Sequence, residues 1–192
     1  VKPNDTILEI GPGKGALTGK LLERANRVIA VEKDRELFEF LKIKFAKQIK
    51  SGSLVLVHGD ILKFNISEDA LKFFSGPFGI GSPADSNPGS LSRPDHSKNL
   101  KHLRYKIIAN IPYNITGAIL KKFLTEKNQP ERMILMVQYE VAKRIIGRSG
   151  SPSTSFDKTQ DKSLRIKESI LSISVKAYGE PKIIMKVGRR YF

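Results

Sequence analysis

The sequence predicts an α/β protein built on a doubly wound, mostly parallel sheet. Strand, helix, strand, helix and strand alternate within the first 57 residues, and strands separated by helices pair in parallel through right-handed crossovers. The turn after the first strand is the glycine run Gly11-Pro12-Gly13-Lys14-Gly15. Such a run starts a helix tightly and lets a ligand approach the backbone.

Thr6 to Ile10 is a short apolar strand leading into the glycines, and the helix after it carries Leu17, Leu21 and Leu22 on one stripe. Arg27 to Val31 reads as a second buried strand. Asp34 is placed to cap a helix whose Leu37, Phe38, Leu41 and Phe45 recur at helical spacing. Ser53 to Val57 is the third strand, and a short helix is expected over 67–74. From 76 to 104 the pattern gives way to Gly, Ser, Pro, Asn and Asp, which reads as a mobile insertion. Residues 105–109 form the fourth strand, Ile115, Ala118, Ile119 and Phe123 mark a helix, and Arg132 to Val137 is the fifth strand. Tyr139 to Ile146 reads as a helix with Val141, Ala142 and Ile145 inward, and 148–166 as a polar loop. Glu168 to Tyr178 fits helix or strand, whereas Lys182 to Val187 has the apolar run of a strand. The length of 192 residues suits one domain over 1–192, and a monomer is expected.

Composition narrows the partners. Thirty-four Lys and Arg against nineteen Asp and Glu give a net charge of +15, a balance that favours a polyanion, nucleic acid above all. A solvated basic surface is the plainer alternative. There is no cysteine and there are three scattered histidines, so neither disulfides nor a metal site is expected. No apolar run approaches the ~20 residues of a membrane span. A cytoplasmic location fits that composition.

Three groups of residues fall at strand ends: Glu9 to Gly15, Glu32, and Gly59-Asp60. Glu32 follows Gly11 by 21 residues and can accept both hydrogen bonds of a ribose diol. Gly11-x-Gly13-x-x-Ala16 also fits a dinucleotide fingerprint, which keeps an NAD-dependent oxidoreductase open as a competitor. A pyrophosphate, however, requires positive potential at the helix start. Here Glu9 adds a carboxylate and Pro12 removes a backbone donor. S-adenosyl-L-methionine carries an ammonium and a sulfonium, which an acidic rim suits. Asp60 can then accept from the amine of that cofactor's adenine, or else merely cap a helix.

Asn110-Ile111-Pro112-Tyr113 closes the fourth strand at the same end. An exocyclic amine of the adenine type is a poor nucleophile, because its lone pair is delocalised into the ring. The Asn110 side-chain oxygen and the Pro112 carbonyl can accept its two N–H groups and aim the lone pair at a methyl group. Tyr113 offers a flat face for a base taken out of its stack. A plain Asn-Pro turn is the alternative.

Glu9-Ile-Gly-Pro-Gly-Lys-Gly-Ala-Leu-Thr18, Val31-Glu32-Lys33-Asp34, Gly59-Asp60-Ile61, Ala109-Asn-Ile-Pro-Tyr-Asn-Ile-Thr116 and Val137-Gln-Tyr-Glu-Val-Ala-Lys-Arg144 together resemble the successive motifs of the rRNA adenine dimethyltransferases. These include the small-subunit enzyme and the erythromycin-resistance methylases of large-subunit rRNA. The resemblance spans nearly all of the chain outside 76–104 and 148–166. It implies a class I, Rossmann-like methyltransferase fold with S-adenosyl-L-methionine contacted by Gly11, Glu32, Asp60 and Asn110, and the residues beside them, Glu9, Gly13 and Ile61, complete the expected cofactor set. By the same resemblance Asn110 and Tyr113 hold the target adenine, Phe192 flanks that base and 168–178 is a helix, while Pro112 joins Asn110 and Tyr113 as the expected catalytic set. Gln138 and Glu140 look more like the small-subunit type. The implied function is methylation, twice per adenine, of rRNA alone or in a pre-ribosomal particle. The alternatives are a resistance-type methylase and a non-catalytic assembly factor. The family also has a Gly-Gln-Asn-Phe-type segment before the first strand. Beyond the position of Phe192 it has a last strand and a helical domain, and this chain is expected to lack all three.

Overall fold

The computed structural model describes residues 1–66, 103–147 and 169–188. The expected helix at 67–74, nearly all of the 76–104 insertion, the 148–166 loop and Phe192 lie outside the described residues. The chain divides into two compact units, one of residues 1–111 and 125–136, the other of 112–124 and 137–192.

The first unit is a five-stranded sheet. Its strands are β1 (Thr6–Ile10), β2 (Arg27–Glu32), β3 (Leu54–His58), β4 (Lys106–Asn110) and β5 (Arg132–Met136). They lie in the order β3-β2-β1-β4-β5, and every pairing is parallel. The sheet therefore winds outward in both directions from β1, the doubly wound order expected from the alternation of elements. Parallel strands are buried on both faces, which is why β1 and β2 read as continuous apolar runs with Ile7, Leu8, Val28, Ile29 and Ala30 wholly enclosed.

Three helices of this unit follow from local chemistry. α1 (Ala16–Leu22) starts where Gly15 takes a left-handed φ of 75°. α2 (Arg35–Lys44) is capped as anticipated, the Asp34 side chain accepting from the Leu37 N–H, and α3 (Ala46–Lys50) follows after Phe45. Leu21, Leu41 and Phe45 pack with Ile7, Val28, Ala30 and Leu54 into one core. Each such large side chain contributes about 1.5–3 kcal/mol when fully enclosed. At the amino edge of the sheet Lys106 and Asp5 form a half-buried ion pair of 2.6 Å. The Tyr105 hydroxyl donates to the Asn128 carbonyl. These contacts fix the start of β4 beside β1 and the approach to β5.

The second unit holds the turn Tyr113–Ile115 and most of α4 (Thr116–Thr125), together with α5 (Tyr139–Ile146) and α6 (Ile170–Lys176). Ser169 caps α6 by accepting from the Ser172 N–H and ties it to α5 by donating to the Arg144 carbonyl. Gly147 is required where it stands, since a Cβ there would lie 2.5 Å from Ser172 Oγ. Residues 170–176 resolve the ambiguous segment as a helix, as the resemblance implied. The expected strand Lys182 to Val187 is not one: residues 181–188 pair with no strand among the described residues, and Ile184 and Met185 are largely exposed. A β-branched run becomes a strand only where its backbone finds an edge to pair with. Among the described residues no helix is long and apolar enough to cross a membrane.

Candidate functional site

The parallel sheet brings the carboxyl ends of its strands to one edge, and within the first unit Glu9, the glycine turn, Glu32, Asp60 and Asn110 all lie there. Register makes this quantitative: Ile10 pairs with Val31 and with Ala109, and Glu32 with His58. Each strand thus ends within one or two residues of its neighbour, and the loops emerge side by side. In an open parallel sheet that edge, at the strand where the order reverses, is where ligands bind.

The glycine turn is held by four hydrogen bonds. Gly11 donates to the Val31 carbonyl at 3.0 Å and Gly15 to the Pro12 carbonyl at 2.9 Å. Gly13 donates to Glu32 Oε2 at 3.0 Å, and Lys44 Nζ donates to the Lys14 carbonyl at 2.7 Å. Gly11, Gly13 and Gly15 all have positive φ, yet they differ in what surrounds them. A Cβ on Gly15 would fall 2.5 Å from the Phe45 ring and 2.8 Å from Leu41, whereas one on Gly11 or Gly13 would meet nothing within 4 Å. The third glycine serves packing, and the first two border open space.

Two carboxylates stand close to this turn, Glu32 bonded to it and Glu9 at the end of β1 just before it. Glu32 is nearly buried and holds the loop with both oxygens, Oε1 accepting from the Asp34 N–H at 2.9 Å and Oε2 from Gly13. A carboxylate has about four acceptor sites, so two remain for a ligand. Glu9 is 1% exposed, and neither its Oε2 nor the equally buried Thr18 hydroxyl has a hydrogen-bond partner. Burial foremost, with the charge of nearby Glu32, pushes the Glu9 carboxyl up to about 7 even though the closeness of Thr18 works against it. An unpartnered buried oxygen is costly. A cationic donor in the adjoining space would supply what Glu9 lacks, so this pair fits a ligand carrying an ammonium and a ribose.

Asp60 bonds within its own loop, where residues 61–63 form a turn and not the helix that the plainer alternative had it cap. Its Oδ1 accepts from the Leu62 N–H and its Oδ2 from Lys33 Nζ, both at 3.0 Å. These bonds, the backbone one foremost, hold its carboxyl below the usual range. Ile61 beside it is buried. Asn110 ends β4 with its side chain exposed, making no hydrogen bond among the described residues, and the next residue, Ile111, donates to the Met136 carbonyl. In the second unit the Pro112 carbonyl accepts from the Ile115 N–H at 3.2 Å and from the Thr116 hydroxyl at 3.4 Å. Both of its lone pairs are engaged.

Three participants escaped sequence reasoning. Lys44 reaches back 30 residues to the glycine turn and Lys33 forward 27 to Asp60, and no local pattern encodes such reach. Thr18 stands inside the glycine motif, but its place beside Glu9 emerges only when α1 packs.

Comparison with known proteins adds to this geometry. The model of the family described as ribosomal RNA adenine dimethylase matches residues 1–192. The chain is 35% identical over 187 residues to ribosomal RNA small subunit methyltransferase A of Dehalococcoides mccartyi strain CBDB1, an alignment covering 97% of this chain and 48% of that protein. It is 36% identical over 192 residues to the protein of the same name from Moorella thermoacetica, covering 100% of this chain and 54% of that one. The chain thus spans about half the length of the curated relatives it matches. A dimethyladenosine transferase from Plasmodium falciparum aligns structurally with a TM-score of 0.55 at 24% identity, over 92% of this chain and 46% of that one. The 23S rRNA methyltransferase ErmE aligns with a TM-score of 0.52 at 24% identity, over 77% and 45% respectively. The two structural likenesses establish a Rossmann-like fold.

Proposed function

Because the chain belongs to the ribosomal RNA adenine dimethylase family, we propose that residues 1–192 form a methyltransferase domain that transfers methyl groups to the exocyclic amine of adenine in small-subunit rRNA. Two methyl groups go to each adenine, and the protein works in the cytoplasm during ribosome assembly. The observation that carries this reading is the pair of carboxylates at the glycine turn. Glu9 is buried with an unsatisfied oxygen at the end of β1, and Glu32 is locked to the glycine loop whose Gly11 and Gly13 border open space, in a chain of net charge +15. Carboxylates gathered at the glycine turn of a basic protein suit a cationic cofactor and a polyanionic substrate.

S-adenosyl-L-methionine, when bound, supplies a methyl group made electrophilic by its sulfonium. Glu9 receives the amino-acid ammonium, Glu32 the ribose hydroxyls, and Gly11 and Gly13 the close approach of the cofactor. Asp60, with Ile61 beside it, meets the adenine of the cofactor. In the first transfer the Asn110 side-chain oxygen and the Pro112 carbonyl accept the two N–H groups of the target amine, the carbonyl giving up its longer bond from Thr116, and in the second the one remaining N–H keeps a single acceptor. Accepting both draws the nitrogen toward a pyramidal geometry and fixes the direction of its lone pair. The methylated ammonium is acidic enough to lose its proton to water, so no strong base is needed. Tyr113 and Phe192 flank the extruded base, whose stacking is worth about 1–3 kcal/mol.

Transfer from methyl-labelled cofactor to purified small-subunit rRNA or particles, with the methylated bases identified by mass spectrometry, tests this. Dimethyladenosine in small-subunit rRNA is the expected product. Label in large-subunit rRNA would point to the resistance-type reaction, and cofactor-independent rRNA binding without transfer to an assembly factor.

A further inference from the structure

Tyr139 opens α5 with 40% of its side chain exposed. Two ammonium groups sit over its ring, Lys143 Nζ at 4.8 Å and Lys186 Nζ at 4.4 Å from the centroid. Lys143 stands one turn further along the same helix, whereas Lys186 comes from the segment 181–188, so two separate parts of the second unit converge on one ring. Among the described residues neither ammonium is paired with a carboxylate. Glu140 is the next residue along the helix and does not share the face of Tyr139, and Glu180 is taken by Lys182 at 3.3 Å. Like charges gathered at one exposed ring repel each other, and attraction to an exposed ring face is small. Among the described residues the cluster has no anion, and the ring offers a flat surface beside the two ammoniums.

We propose that Tyr139, Lys143 and Lys186 form a contact site for single-stranded RNA, the two ammoniums on its phosphates and the tyrosine ring against a base. This rests on the rRNA reading above and adds a point of grip that the cofactor site does not use. When a phosphate draws an ammonium away from the ring, a base replaces it on the freed face. That exchange is favourable because base stacking on an aromatic ring is stronger than an exposed cation–ring contact.

The test is fluorescence anisotropy of a labelled single-stranded RNA oligonucleotide titrated with the protein across a range of salt concentrations. The wild type is expected to lose affinity steeply and linearly in log–log form. For every phosphate that a lysine no longer neutralises, the slope becomes shallower by roughly 0.7, so Lys143→Gln combined with Lys186→Gln should flatten it by roughly 0.7–1.4. Tyr139→Ala should weaken binding by roughly 5- to 100-fold with the slope unchanged, and Tyr139→Phe should bind like the wild type. Affinity for S-adenosyl-L-methionine, measured by calorimetry, stays the same in every variant. A double lysine variant with the wild-type slope would overturn the site while leaving the rRNA reading in place. A wild type that does not bind RNA at all would overturn that reading and this site with it.

Discussion

Glu9 gives the sharpest test of the cofactor end. Its carboxyl is enclosed with one oxygen unsatisfied and titrates at about 7 instead of 4.5, with desolvation the main cause. For an acid whose folded pKa is raised, the unfolded chain ionises first as pH rises. Stability is therefore full below about 4.5, falls between there and about 7, and stays low above. The total loss is about 3 kcal/mol, from 1.36 kcal/mol for each pH unit between the two values. Glu9→Gln cannot ionise and should lack this slope. Urea unfolding of the two proteins at several pH values should show the glutamine variant gaining about 3 kcal/mol on the wild type between pH ~4.5 and ~8. Asp5 and Asp60 do not interfere. Their carboxyls are held low, by Lys106 and by the Leu62 N–H foremost, so the stability they contribute is lost only as pH falls below about 3.8. The same carboxyl links cofactor to proton: an ammonium beside it favours ionisation, so S-adenosyl-L-methionine binding by the wild type should release a proton near pH 6 and tighten toward pH 8. Parallel pH profiles for the two proteins would refute the argument that Glu9 is buried as an uncompensated acid.

The other predictions concern the glycine turn. Glu32→Ala should weaken S-adenosyl-L-methionine by roughly 1.5–3 kcal/mol, as for hydrogen bonds to a charged group; calorimetry showing unchanged affinity would remove Glu32 from the site. Gly15→Ala combines a φ of 75° with a 2.5 Å approach to Phe45 and should cost roughly 2–4 kcal/mol of stability, whereas Gly11→Ala, with open space around it, should cost roughly 1–2. Equal urea midpoints for these two variants would contradict the division between a packing glycine and ligand-facing ones. Lys44→Met keeps an unbranched apolar side chain but loses the ammonium, and with it the bond to the Lys14 carbonyl and the cation over Phe40 and Phe45. Cofactor affinity should fall by roughly 0.5–1.5 kcal/mol with the melting temperature little changed.

Much of this was legible in the residues themselves. The runs Thr6 to Ile10 and Arg27 to Val31 are apolar throughout because a central parallel strand is covered on both faces, so their place in the sheet could be read directly. Asp34 announced its helix because a cap is a bond between neighbours in sequence. The segment Lys182 to Val187 misled for the opposite reason: its composition suits a strand, but pairing depends on an edge elsewhere in the chain. Glu9 was readable as an acidic residue beside the glycine turn, but not as buried without a partner. That depends on where α1 sets Thr18 and where β2 sets Glu32. Lys44 and Lys33 were invisible because their partners lie about thirty residues away.

Asn110 tests the central claim, that this edge of the sheet presents an adenine amine to a methyl donor. The measurement is single-turnover methyl transfer to small-subunit rRNA by Asn110→Ala, beside its affinity for S-adenosyl-L-methionine. The Asn110 side chain is exposed and makes no hydrogen bond among the described residues, so its removal leaves the fold intact. Transfer is predicted to fall by roughly 10²–10³, the usual cost of removing one preorganised polar group from the reacting centre, while most cofactor affinity is kept. Transfer at a near-normal rate would mean that Asn110-Ile111-Pro112-Tyr113 is only a turn, and the catalytic account would fail.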